Sequence, residues 1–254
     1  MKRTPVRRRW LRPVILIVLA GIVGGAILVR AAGHSDPVSV DEVIARFRQQ
    51  ATAGGDGAPA AGVYTYRVSG SEAGGSGPFK VRRDFPATGT MTVRRTPEGW
   101  ETETSLSEQH VEGARFRIAG DAIEMVWRRE DVTFAGLGRD DRRDINGRYR
   151  IAPLAPRVGV HFTDTYLAGS LRNHVETSVV RNDRVLVGDT SVAVVLIRST
   201  TRTTGALSGS REETLWWSPE LRVPVRISQR VTLGGVVAFD SRLDMVLEGL
   251  TPAT

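Results

Sequence analysis

Histidines, paired acids and glycine-rich turns are where a chain of this composition would carry chemistry, and each is spaced against it. His34, His110, His161 and His174 are scattered, without the close spacing of a zinc helix or ribbon. Each reads as a surface or hydrogen-bonded core histidine. Cysteine is absent, which excludes thiol nucleophiles, thiolate metal sites, disulfides and lipid attachment at a thiol. No G-x-S-x-G elbow occurs. Gly136-Leu137-Gly138 is followed by Arg139 and Asp140 rather than by the third glycine of a phosphate loop, so it reads as a turn. Asp140, Asp144, Asn146 and Gly147 have some of the make-up of a calcium loop, but Arg142 and Arg143 stand among the acids and repel a cation. Glu101 and Glu103 share a strand face, which is the habit of the wet side of a sheet before it is that of an acid–base pair. The expectation is a protein with no catalytic residue, no metal site and no cofactor.

The remaining candidates are apolar. Trp100, Phe116, Met125 and Trp127 alternate with polar neighbours, and on the concave side of a curved sheet they would line a cavity. Acyl chains bind such cavities at roughly 0.8 kcal/mol per buried methylene. A lipidic or otherwise apolar ligand is therefore expected against these four residues.

Positioning them requires strands, and from Gly62 onward the apolar period is two. Tyr64, Tyr66 and Val68 share one face. Trp100, Thr102, Thr104 and Leu106 oppose Glu101, Glu103 and Ser105; Ala114, Phe116 and Ile118 alternate with Arg115 and Arg117; Ile123, Met125 and Trp127 oppose Glu124 and Arg128. One face apolar and one wet is the mark of antiparallel sheets. Val192 to Ile197 is apolar on both faces and is expected centrally, with the polar stretch Ser199 to Thr204 continuing it into solvent. Trp216 and Trp217 must point to opposite faces, so one is a core residue. In the last hairpin, a three-residue loop of Gly234 to Val236 sets Leu233 opposite Val237, Val231 opposite Phe239, Ile227 opposite Leu243 and Val225 opposite Met245. It also aligns Arg230 with Asp240, Arg226 with Asp244 and Arg222 with Glu248, pairs worth roughly 0.2 to 1 kcal/mol each.

Ahead of the strands, Ser39-Val40-Asp41-Glu42 reads as a capping box, and Val40, Val43, Ile44, Phe47 and Ala51 repeat with helical spacing. A short amphipathic helix over 40–51 follows, joined by the Gly/Ala/Pro link Thr52 to Ala61 to the sheet it folds back on.

Charge completes the layout. The net +7 resides in Lys2, Arg3, Arg7, Arg8, Arg9, Arg12 and Arg30, which surround an apolar run; the remaining 28 basic residues equal the 28 acids. A neutral domain has no general attraction for phosphate backbones, so nucleic acid is not an expected partner. Val14 to Val29 is uncharged and spans roughly 24 Å as a helix, against a hydrocarbon core of about 30 Å, with flanking Arg stems able to snorkel. Basic residues before the run and one after it set the N-terminus in the cytoplasm. A cleaved signal with its site at Val29-Arg30-Ala31 fits less well, because Arg stands at the cleavage point. Arg7 to Arg12 resembles a twin-arginine signal, although a basic flank suffices.

This order of basic flank, apolar span, short helix and long antiparallel meander is similar to that of uncharacterised single-pass membrane proteins of actinobacteria. Trp217-Ser218-Pro219-Glu220-Leu221-Arg222-Val223-Pro224-Val225-Arg226 resembles the strand-turn-strand of the LolA-like lipoprotein-carrier half-barrels. That resemblance implies an open, strongly curved sheet wrapping a helical lid around an acyl-chain cavity. The missing cysteine departs from lipidated relatives. The expected molecule is mainly β: a cytoplasmic tail (1–13), a transmembrane anchor (14–32), a juxtamembrane helix and linker (33–61), and an extracytoplasmic curved antiparallel meander (62–254). Its expected role is a membrane-tethered binding module in the cell envelope, with a sensor or interaction domain for another envelope protein as the alternative.

Overall fold

The computed structural model describes residues 33–50, 57–75, 80–134, 137–235 and 238–254. The tail and the expected anchor over Val14–Val29 lie outside the described residues. One helix, α1 (Val40–Gln50), precedes fourteen strands: β1 (Gly62–Gly75), β2 (Val81–Asp84), β3 (Thr88–Thr96), β4 (Gly99–Ser107), β5 (His110–Ala119), β6 (Ala122–Phe134), β7 (Leu137–Gly147), β8 (Arg150–Pro153), β9 (His161–Ala168), β10 (Leu171–Val187), β11 (Thr190–Thr204), β12 (Ser208–Trp217), β13 (Pro224–Gly234) and β14 (Ala238–Leu247).

The expected mainly-β antiparallel meander is present, but it is not a half-barrel. Twelve of the strands close on themselves, because β1 pairs with β14 from Tyr66↔Leu247 to Gly75↔Ala238. An open sheet would leave both of these edges unpaired, and closure satisfies their backbone groups. β2 continues β3 along the far half of β1 after a break at Phe85–Ala87, and β8 likewise continues β7 along the other end of β6. The seam itself depends on Gly70. Its φ is +122°, and a Cβ there would lie 2.0 Å from the Arg242 carbonyl oxygen, so only glycine lets the two strands approach.

Inside and outside follow from the alternation. In β10, Asn173, Val175, Thr177 and Val179 are buried, while Arg172, His174 and Glu176 are exposed. The outward face is the polar one, the inverse of a barrel whose wall faces lipid tails. Among the described residues no helix is long and apolar enough to cross a membrane.

Twelve strands enclose more space than small side chains fill, and the two halves of the lumen meet this differently. Toward the end bearing the β10–β11 and β12–β13 turns, Tyr64, Tyr66, Trp100, Leu215 and Trp217 form a dry core that Val187, Val192 and Val194 of the β10–β11 hairpin extend. Toward the other end the lining turns polar. There the stretch expected to run out into solvent does not: β11 carries Thr201 and Thr203, 5% and 8% exposed, on the lumen wall. The apolar-in rule fails for them because the lumen they face is itself polar.

The helix stripe finds its partner on the outer wall. Val43 and Phe47 pack with Val63 of β1 and with Val38, Ile44 and Ala61, and Ser39 Oγ accepts from the Glu42 amide at 3.4 Å. α1 is thus a strap along β1 and β3 rather than a lid. At the polar end, Asp36 accepts and donates bonds with Glu108 and Gln109 of the β4–β5 turn. At the other, Ala253 bridges Val63 and Arg48 Nε donates to the Thr254 carbonyl at 2.9 Å.

Two registers differ from expectation. The last hairpin pairs Leu233 with Phe239, Ile227 with Met245 and Ser228 with Asp244, a two-residue slip from the expected alignment. Faces survive such a slip, and Arg226 still reaches Asp244 at 2.7 Å on the diagonal. Long side chains bond diagonally as readily as straight across, so charge pairs alone do not separate these registers. The second difference is a bulge between β5 and β6. Phe116 pairs with Met125 but Arg115 pairs with Trp127, which leaves Val126 unpaired and turns Trp127 to the outer face.

Candidate functional site

Of the four residues expected to line an apolar cavity, three share the inner face and one does not. Trp100 is buried and stacked on Phe116, ring centroids 5.6 Å apart, within the dry core. Met125 packs beside the Tyr149–Tyr166 pair. Trp127 lies outside, over Gly113, with the Arg142 guanidinium 4.8 Å from its ring centre. Trp217 is buried, while Trp216 faces Arg226, 4.7 Å from its ring, on the outer wall.

The lumen cavity, about 70 Å³, is at the polar end. The inner-face residues of adjacent strands converge on it: His110 and Glu112 from β5, Arg128 and Glu130 from β6, Asn173 from β10, Thr201 and Thr203 from β11, Arg211 from β12, Gln229 from β13 and Ser241 from β14. Tyr149 and Tyr166 stack at 4.7 Å on its wall, and burial raises the Tyr149 hydroxyl well above its ordinary pKa. Leu171, Leu207, Leu233 and Phe239 stand half-buried at the rim.

Behind one side of the cavity is a buried ionic chain. Glu72 of β1 receives Arg83 of β2 at 2.5 Å and His110 Nδ1 at 2.6 Å. Arg83 also donates to the Thr133 and Gln109 carbonyls at 2.5 and 3.3 Å, tying the ends of β2, β4 and β6 together. His110 Nε2 faces Glu112 at 3.3 Å. Burial opposes a charge on this ring, but its hydrogen bonds to Glu112 and Glu72 hold its pKa up to about 10. That shift favours the imidazolium, which donates from both nitrogens. Glu112 resists burial in the same way: the bond from His110 and the charge of Arg211 lower its pKa to about 2.

On the cavity's other side, Arg211 pairs with Glu213 at 2.6 Å and Arg128 with Glu130 at 2.9 Å. Arg211 Nε is buried and donates to nothing. Thr203 donates to Asn173 Oδ1 at 2.8 Å. Gln229, Thr201 and Ser241, all less than a tenth exposed, line the same cavity. Among the described residues no cluster of His, Asp and Glu has the arrangement to hold a metal ion.

The sequence does carry a trace of this site. On β5, β12 and β11 the inward positions pass from apolar to polar along a single face: Phe116 and Ala114 to Glu112 and His110, Trp217 and Leu215 to Glu213 and Arg211, Ile197 to Thr201 and Thr203. Several strands changing inner-face polarity toward the same end mark a lumen with a dry half and a wet half. Compared with family models, with characterised proteins and with solved structures, the chain matches none of them.

Proposed function

We propose that the barrel is a binding module for a small polar ligand, held on the extracytoplasmic side of a membrane by the Val14–Val29 segment. The observation that carries the reading is Arg211 Nε, buried without an acceptor on a cavity that Gln229, Thr201 and Ser241 also line. A buried polar group left unmet costs about 1–3 kcal/mol, so a complementary group in the cavity would stabilise the site. The polar lining favours such a ligand over an acyl chain. Trp100, Phe116 and their neighbours fill the apolar half, where an acyl chain would otherwise lie. The reading includes no reaction on the ligand.

Native mass spectrometry of the full-length protein released from nanodiscs tests it. A ligand carried by the wild type and lost from Thr201→Val/Gln229→Leu supports the reading; no adduct from a correctly folded wild type, with only water in an experimentally determined lumen, refutes it. A second reading, docking of an envelope protein, has one observation behind it. From Arg181 to Val187, β10 has no strand among the described residues on the side that β9 vacates after Ser178. Asp183 and Arg184 on that edge discourage indiscriminate pairing.

A further inference from the structure

We propose that the mouth at the polar end of the barrel seats on a lipid bilayer surface, with Leu207 and its rim neighbours Leu167, Leu171, Leu233 and Phe239 entering the headgroup layer. The inference rests on the reading of Val14–Val29 as a membrane anchor and adds which end of the barrel that membrane meets. Three observations carry it. The first is where the chain comes from. Asp36 is fixed at the polar end by its bonds to Glu108 and Gln109 of the β4–β5 turn, and α1 then runs away from that end to where Arg48 meets Thr254. Asp36 is the seventh residue after Val29, a leash of at most about 25 Å when fully extended. The polar end is thus the one held at the membrane, and the opposite end would reach it only with the leash run back along the height of the barrel.

The second is what this end presents. Leu167 is 41% exposed on the outer wall of β9. Leu171 and Leu207 are half-buried at the β9–β10 and β11–β12 turns, and Leu233 pairs with Phe239 at the end of the last hairpin, both half-buried. Three consecutive hairpins therefore carry large apolar side chains at the rim, the kind that sit about 5–10 Å into the headgroup boundary when a protein docks on a bilayer. Arg172 and Arg202, exposed on the outer wall beside them, complement anionic headgroups. The third observation is how leash and rim are placed. In the ring of strands, the β4–β5 turn that holds Asp36 and the β11–β12 turn that carries Leu207 are six strands apart in either direction. Leash and apolar arc lie across the mouth from one another. A body tethered at one side of its mouth and attracted at the other lies with that mouth level on the surface, which turns the lumen cavity toward the bilayer.

The absence of cysteine lets single thiols test this position by position. Leu207→Cys, Leu167→Cys and, toward the opposite end, Leu186→Cys, itself 66% exposed, are labelled with an environment-sensitive fluorophore in the full-length protein. Each is reconstituted in nanodiscs of phosphatidylcholine and phosphatidylglycerol, with and without a lipid bearing a nitroxide near the headgroup end of its acyl chain. The two rim labels should emit at shorter wavelength and be quenched about twofold or more by the nitroxide, as burial of about 5–10 Å implies, while the label at the opposite end is indifferent to it. Should Leu167→Cys fail to fold, Leu207→Cys, in a turn, is held to the same criterion. Water-like, unquenched emission from the rim labels, or quenching at the opposite end instead, overturns the docking. Alkaline carbonate extraction of the wild type separates this from failure of the anchor. A protein retained in the membrane with its rim labels in water loses the docking alone, whereas a protein released by carbonate loses anchor and docking together.

Discussion

Replacing Arg83 with methionine isolates the buried ionic chain that joins the polar end of the barrel. The Arg83 and Glu72 side chains are 1% and 0% exposed, so the substitution leaves a carboxylate buried with only His110 to answer it. It also removes a donor from the Thr133 and Gln109 carbonyls, of which Gln109 keeps the Thr133 amide. Breaking a buried pair by removing one partner costs about 3–5 kcal/mol, because the surviving charge is stranded. That is a large share of the roughly 5–15 kcal/mol that holds a domain together. Urea unfolding followed by tryptophan fluorescence reads it as a lowered midpoint at unchanged slope, Trp100 and Trp217 being buried reporters. Adding Glu72→Gln to Arg83→Met should recover at least about 1 kcal/mol, since the stranded charge is then gone. A loss below about 1 kcal/mol for the single variant, or no recovery in the double, would refute the buried chain as drawn.

Further outcomes follow from the same structure. His110, raised from 6.5 to about 10, stabilises the fold fully below pH 6.5 and loses that contribution as pH climbs through 10; Glu112, lowered from 4.5 to about 2, contributes fully above pH 4.5 and fails as pH drops toward 2. Unfolding free energy against pH should therefore be at its plateau between about 4.5 and 6.5, and His110→Gln should abolish the decline between pH 6.5 and about 10. Gly70→Ala should cost about 2 kcal/mol or more by forcing β1 off β14, and an unchanged melting temperature would contradict the seam geometry. Arg222 holds φ at +56° in the Ser218–Val223 turn, so Arg222→Asn should gain up to about 1 kcal/mol in thermal denaturation. A double-mutant cycle on Arg226 and Asp244 should return a coupling of only about 0.2–1 kcal/mol.

Much of the wall is legible in the sequence because strand alternation is a local property. The faces of β1, β4 and β13 follow from residues two apart. What alternation leaves open is anything set by the partner strand. The Val126 bulge moves Trp127 outside without leaving a mark in its own strand, and the slip of the last hairpin preserves both faces and the Arg226–Asp244 pair. Closure is the least local feature of all: it depends on Gly70 meeting Arg242 from the opposite end of the chain. The lumen site is hidden for a related reason. His110 and Arg211 are polar residues on the same faces as Phe116 and Trp217, and Arg128 reaches the inner face only through the Val126 bulge.

The absence of cysteine from the chain makes closure directly measurable. Arg67 and Val246 are opposed across the β1–β14 seam on the outer wall, and directly opposed Cβ atoms in a sheet lie roughly 4.5–5.5 Å apart, near enough for a disulfide to form with slight adjustment. In Arg67→Cys/Val246→Cys, mild oxidation should convert the protein almost completely to an internally cross-linked form that migrates faster in non-reducing electrophoresis. A folded protein in which both thiols stay free would mean that the sheet is open, and an open sheet encloses no polar lumen.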